Sequence, residues 1–310
     1  MRILFVTSNR LGDAILSTGL LDHLIRANPT ARITVVCGPV AEDVFARMPG
    51  LERTIVLEKR PYGAHWLPLW AEVARTWWDL VVDLRASALS FLVPARRRAV
   101  MVKRGGHKTA QLGAILGLDP PPPPVAWTGP EDRARAASLL PDGAVIIALA
   151  PTANWAPKIW PAERFAALFR ALAAEWRWLG RDAGLASRPV IPAIFAGPGE
   201  TERDLAAPLL AALPDAIDLT GRLTIPEATA CLERCALFAG NDSGLMHLAA
   251  AAGVPTLGLF GPTSAAEYAP TGRCAMALTA VDGTMAGISV AQAVEAAETL
   301  LGGYREVSAA

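Results

Sequence analysis

In "GNDSGLMHLAAAAGVPTLGLFG" (240–261), Asp242, Ser243, Gly244 and His247 crowd the start of a stretch that is otherwise alanine-rich and apolar. The preceding "LFAG" reads as a strand, "NDSG" as the turn beyond its C-terminal end, and "LMHLAAAAG" as a helix closed by Gly253. A helix start presents backbone N–H groups without partners and the positive end of its dipole, so the chemistry expected there is anion binding. Gly244 lets the backbone approach a ligand closely. His247 shares the face of Ser243, because positions i and i+4 of a helix lie one above the other. Taken singly, Asp242 or Ser243 is also what an ordinary helix cap needs, and His247 what a core histidine looks like. The set as a whole, at the end of a late strand, points to a bound anion.

Three further segments carry candidate chemistry. In "PTANWAPKIWPAERF" (151–165), Lys158 stands just ahead of a helix opening at Pro161, a residue suited to the first helical turn. A lysine there is a point charge for phosphate, or an ordinary surface residue. "AGPGETER" (196–203) is a glycine turn with acids at a helix start, where Glu200 either holds a ribose diol or complements the helix dipole. "SNRLGDAILST" (8–18) matches neither a dinucleotide nor a P-loop fingerprint. Its Gly12-Asp13 offers a carboxylate that either takes a proton from an incoming hydroxyl or caps a helix.

These residues need a scaffold, and the periodicity supplies one. Short apolar runs at 2–8, 31–38, 53–58 and 79–86 alternate with helical patterns at 13–29 and 40–48. The pattern stops at "LDPPPPPVAW" (118–127), read as a stiff linker. It resumes with strands at 144–151, 189–197, 216–221, 235–240 and 254–261, separated by helices at 161–178, 200–213, 226–235 and 243–252. Such alternation implies parallel α/β sheets, whose ligands bind beyond the C-terminal strand ends. Two Rossmann-like domains are expected, 1–140 and 141–310, with a cleft between them as the active site and a helix near 289–301 packing back on the first.

At 310 residues, 52% of them apolar, the chain is long enough for two domains. Overall charge is balanced at 29 basic and 29 acidic residues, which gives no reason to expect a nucleic-acid partner. The halves differ: 1–140 carries 18 basic against 12 acidic residues, and 141–310 carries 11 against 17. No acid lies between Asp83 and Asp119, where Arg85, Arg96, Arg97, Arg98, Lys103, Arg104 and Lys108 fall, so an anionic ligand is expected on the first half. Cys37, Cys231, Cys235 and Cys274 fit buried free thiols rather than a disulfide framework or a zinc site. No signal peptide and no membrane span are expected, which implies a cytoplasmic protein, at most peripheral to a membrane. "HWLPLWAEVARTWW" (65–78), with four tryptophans, reads either as an aromatic core helix or as a contact for membrane or acceptor.

Three segments together resemble glycosyltransferase family 9, the ADP-heptose:lipopolysaccharide heptosyltransferases: "LGDAILSTGLL", "KIWPAERFAAL" and "CALFAGNDSGLMHLAAAAGVPTLGLFGPT". They stand in the family's order and span most of the chain. The resemblance implies a GT-B fold of two facing Rossmann-like domains with an inter-domain cleft, acceptor bound mainly by the first and nucleotide-sugar donor by the second. It implies an inverting, metal-independent enzyme that moves a heptose from ADP-heptose to an inner-core acceptor, Kdo-lipid A or a heptosyl core, at the inner face of the membrane. No cofactor beyond the donor is implied, and no DxD pair suited to Mg²⁺ is present. Asp13 would be the general base and Lys158 a contact to donor diphosphate or sugar. Asn154, Glu200, Leu223, Asp242, Ser243, Gly244 and His247 would form the donor site, with Glu200 on the ribose and Leu223 against the base. On the acceptor side stand Gly12, Arg60 and Arg85, the two arginines chosen by charge. Ala153-Asn154 replaces a Thr-Thr pair found in some heptosyltransferases. The competing readings are a GT-B nucleotide-sugar 2-epimerase and a non-catalytic nucleotide-sugar-binding protein.

Overall fold

Five parallel strands build the first sheet, and their sequences show why they are inside it. The computed structural model describes residues 1–58, 61–179 and 188–309, with side chains outside 175–179 and 303–309. Strands β1 (Arg2–Val6), β2 (Arg32–Cys37), β3 (Leu51–Val56), β4 (Trp78–Asp83) and β5 (Ala95–Val100) alternate with helices α1 (Leu11–Ala27), α2 (Trp66–Val73), α3 (Leu89–Leu92) and α4 (Lys108–Ile115). The strand order is β3-β2-β1-β4-β5, all parallel. In β1, Ile3, Leu4, Phe5 and Val6 are fully buried, as expected of a central strand covered on both faces. One face packs Leu4, Val6 and Val81 against Leu69 and Val73 of α2 and Leu89 of α3.

The second sheet repeats the plan with six strands. After α5 (Pro130–Leu139) come β6 (Val145–Ala150), α6 (Ala162–Leu179), β7 (Val190–Ile194), α7 (Glu200–Ala212), β8 (Ile217–Asp218), α8 (Ile225–Leu232), β9 (Leu237–Asn241), α9 (Gly244–Ala251), β10 (Thr256–Phe260), α10 (Ala265–Tyr268), β11 (Ala275–Thr279) and α11 (Val290–Ala309). The order is β11-β10-β9-β6-β7-β8, again all parallel. Its core centres on the fully buried Trp160 and Phe165, stacked edge to face with ring centroids 4.9 Å apart.

The two compact units are Met1–Trp127 and Thr128–Ala310. Several local expectations change. The helix over 40–48 is a 3₁₀ segment, Pro39–Phe45. The proline run is a strap on α1 within the first unit. Val125 N donates to Thr18 Oγ1 at 2.9 Å, and Gly19 lies so close to the run that an added Cβ would fall 2.5 Å from the Pro122 carbonyl oxygen. Helix α5, read as the end of the first half, packs with α8 in the second unit. Helix α11, which matches the helix expected near 289–301, buries Ala293, Ala297 and Leu300 in the core of the second unit. Strands β5 and β11 had no counterpart in the sequence reading. Both are edge strands, and in β5 the run "ARRRAV" keeps charges facing water and loses the continuous apolar signal.

Candidate active site

In each sheet the chain reverses its direction of travel between two central strands, at β1/β4 in the first unit and β6/β9 in the second. Loops leaving such neighbours diverge and open a crevice at their C-terminal ends. Both sets of candidate residues sit there.

In the first unit a pocket of about 240 Å³ is lined by Ser8, Asn9, Arg10, Asp13, Arg85 and Lys108, among others. Asp13 lies in the first turn of α1, yet it does not cap the helix. The N-cap is Arg10, whose backbone N–H donates to Ser8 Oγ at 3.1 Å. Ser8 Oγ donates to Asp13 Oδ2 at 3.3 Å, and Asp13 Oδ1 is shielded from water with no hydrogen-bond partner. A buried carboxylate oxygen without a donor is costly unless something else fills the site. Across the pocket, fully buried Asp83 accepts from the Arg85 N–H, the Ser87 N–H and the Ser87 hydroxyl, which fixes the turn after β4. That turn aims Arg85, which donates to Asn9 Oδ1 at 3.1 Å and stacks 5.0 Å above the Trp66 ring. Burial pulls the Arg85 pKa below its ordinary value, opposed by the Asp83 charge. The pocket lining thus includes a partly buried guanidinium and Asp13, two groups of opposite charge. Gly12, half-buried beside Asp13, belongs to the same helix start. Arg60 lies outside the described residues.

In the second unit fully buried Asn241, the last residue of β9, joins the two central strands' loops. Its Oδ1 accepts from the Trp160 N–H at 3.0 Å and its Nδ2 donates to the Pro151 carbonyl at 2.8 Å. This clamp shapes the loop carrying Lys158, which ends a 3₁₀ turn, Ala156–Lys158. Lys158 Nζ lies 2.7 Å from Asp242 Oδ2. Asp242 therefore holds the lysine at the mouth of α9 instead of capping the helix. Ser243 is the N-cap of α9 by position, but its side chain makes no capping bond and its shielded Oγ has no partner. Gly244 opens the helix, and buried His247 lies one turn in.

The remaining donor-side candidates occupy neighbouring loops at the same edge. Asn154 is exposed after β6, and Glu200 is exposed at the start of α7 behind Gly199, whose φ of 111° few other residues adopt. The carboxylate that ties this loop back is Glu202, which accepts from the Gly197 N–H at 3.2 Å. Leu223 is half-buried just before α8. Sequence reasoning passed over Asn241, although a polar residue ending a wholly apolar strand was a usable signal. It also passed over Thr220 and Thr263, whose hydroxyls after β8 and β10 are shielded and unpartnered. Nothing in the spacing of two threonines marks them.

Residues 83–292 match the model of glycosyltransferase family 9 (heptosyltransferase). The chain belongs to that family. It is 29% identical over 314 residues to lipopolysaccharide heptosyltransferase 1 of Pseudomonas aeruginosa, covering 88% of this chain and 82% of that protein. In fold it is similar to a family 9 glycosyltransferase of Veillonella parvula, with a TM-score of 0.79, 24% identity and 97% of each chain covered. It is likewise similar to ADP-heptose LPS heptosyltransferase II of E. coli, with a TM-score of 0.76, 20% identity, and 98% of this chain and 100% of that one covered. As a member of family 9 the protein is a glycosyltransferase, built on the GT-B plan of two parallel-sheet α/β domains. Among the described residues no helix is long and apolar enough to cross a membrane.

Proposed function

We propose that this glycosyltransferase moves a heptose from ADP-heptose to an inner-core lipopolysaccharide acceptor, with inversion at the anomeric carbon and without a metal ion. The observation that carries the reading is Asp13, whose Oδ1 is shielded and unpartnered and which lines a pocket together with Arg85 and Lys108. A phosphorylated acceptor suits those two cations, and its hydroxyl gives its proton to Asp13 as the oxygen attacks. The bond from the anomeric carbon to the diphosphate breaks, and ADP leaves with the electron pair. On the donor side the growing negative charge meets Lys158, the Ser243 hydroxyl and the free N–H groups opening α9. These groups supply the positive field that a divalent cation supplies in other transferases. The relatives' names, which include ADP-heptose and lipopolysaccharide, support the choice of donor and acceptor class.

The test is ADP release from ADP-heptose, with EDTA present, with and without Kdo-bearing lipid A, for the native protein and Asp13→Ala. Acceptor-dependent release that falls by about 100-fold or more in the variant is expected for loss of a general base. Release that ignores the acceptor, needs added metal or survives the substitution would overturn the donor–acceptor pairing, the metal-free chemistry or the role of Asp13 respectively.

A further inference from the structure

Helix α2 is apolar on both sides. Leu69 and Val73 enter the core, while Leu67, Pro68, Trp70 and Ala71 face water. The single turn of α3 adds Phe91 and Leu92, and Trp70 Nε1 donates to the Leu92 carbonyl at 2.9 Å, so the two elements present one surface. Leu67, Phe91 and Leu92 are 69%, 67% and 62% exposed. A helix that is hydrophobic all round needs a second apolar neighbour, and contiguous exposed apolar side chains mark where it binds.

The charges around this surface are one-sided. Arg98 donates to the carbonyls of Ser90 at 2.7 Å and Val93 at 2.8 Å, which pins its guanidinium at the end of α3. Exposed Arg75 follows α2. The one acid on α2, Glu72, is paired with Arg53 at 2.8 Å. An apolar patch of tryptophan, phenylalanine and leucine rimmed by cations complements anionic headgroups over acyl chains. A second copy of the chain fits less well, because a two-fold interface would bring both sets of arginines together. The patch also continues into the pocket of the first unit: Trp66 opens α2, and its ring lies under Arg85.

We propose that the α2–α3 face docks on an anionic lipid bilayer, with Leu67, Trp70, Phe91 and Leu92 entering the acyl boundary and Arg75 and Arg98 meeting the headgroups. A lipid-borne acceptor would then reach the Asp13 pocket by diffusion in the membrane plane. The docking surface does not depend on the identity of the donor or the acceptor, so its failure leaves the transfer chemistry standing. The experiment is co-sedimentation of the full chain with vesicles of phosphatidylcholine containing phosphatidylglycerol, compared with phosphatidylcholine alone. The native protein is expected to sediment with the anionic vesicles, less so at high salt. The double variant Leu67→Glu/Phe91→Glu is expected to lose about tenfold or more in partitioning while keeping its unfolding midpoint, since both side chains are largely in water. Arg75→Glu should weaken binding to the anionic vesicles. Native protein that stays in the supernatant, or a double variant that binds as the native does, would overturn the proposal. So would a native dimer that the double variant converts to monomer, which would show that a second copy covers the face.

Discussion

Asn241 is the residue on which the geometry of the Lys158 loop turns. Two buried backbone groups from the loop after β6, the Trp160 N–H and the Pro151 carbonyl, depend on its amide. A buried polar group stripped of its partner loses the full desolvation term, on the order of 1–3 kcal/mol. Asn241→Ala is therefore expected to lower stability by about 2 kcal/mol in a urea titration. It should also raise the KM for donor, because the loop it releases carries Lys158. A variant with native stability would show that water or a loop shift replaces the amide. Asp242 illustrates a different limit of residue-level reasoning. Its type suited a cap, whereas its closest partner is a lysine 84 positions away in sequence.

At the level of elements, α1 connects the Asp13 pocket to the proline strap. Asp13 sits in its first turn, and Gly19 further along is where the strap crosses. An added Cβ at Gly19 would lie 2.5 Å from the Pro122 oxygen and 2.6 Å from the Pro123 oxygen, both backbone atoms with little freedom to move. Overpacking of this kind costs roughly 1–3 kcal/mol, more than a helix gains from replacing glycine with alanine. Gly19→Ala should lower the urea midpoint and reduce kcat by tilting α1 and its aspartate. A stabilised variant would mean that the strap lifts off without consequence.

The molecule as a whole carries one set of thiol probes in each unit. Burial, with a smaller push from Glu42, moves the Cys37 thiol up to about 12; burial, with help from Glu227, moves Cys231 up to about 11. Both stay protonated in the native state at pH 8, so alkylation there requires unfolding. The sign for stability follows from the same shifts. A thiol kept neutral by the fold favours the native state below its ordinary value of 9.0, and that preference fades as pH rises from there toward 12. Cys37 belongs to the first unit and Cys231 to the second. ADP bound at the α9 site should move the urea midpoint for Cys231 labelling upward, by up to about 2.7 kcal/mol at a hundredfold excess over Kd, and leave that of Cys37 in place. A shift at Cys37 alone would put the nucleotide on the first unit, and equal shifts would show that the units unfold together.

What the sequence by itself determined was the alternation of elements, the parallel α/β class and the segments that carry chemistry, because buried strands and amphipathic helices write periodic apolar patterns into any chain that must cover both faces of a sheet. The "NDSG" turn, the Lys158 loop and Gly12-Asp13 were legible because they interrupt that pattern with polar groups at strand ends. Edge strand β5, "ARRRAV", was not legible, since a strand half in water needs no continuous apolar run, whereas β11, "AMALT", carries such a run that the sequence reading left unassigned. The tertiary structure alone decided which polar groups satisfy one another. It paired Lys158 with Asp242, anchored a loop on Asn241, and left Asp13 Oδ1 and Ser243 Oγ without partners. Hydrogen-bond satisfaction depends on groups far apart in sequence meeting within about 3 Å, and local spacing carries no record of that meeting.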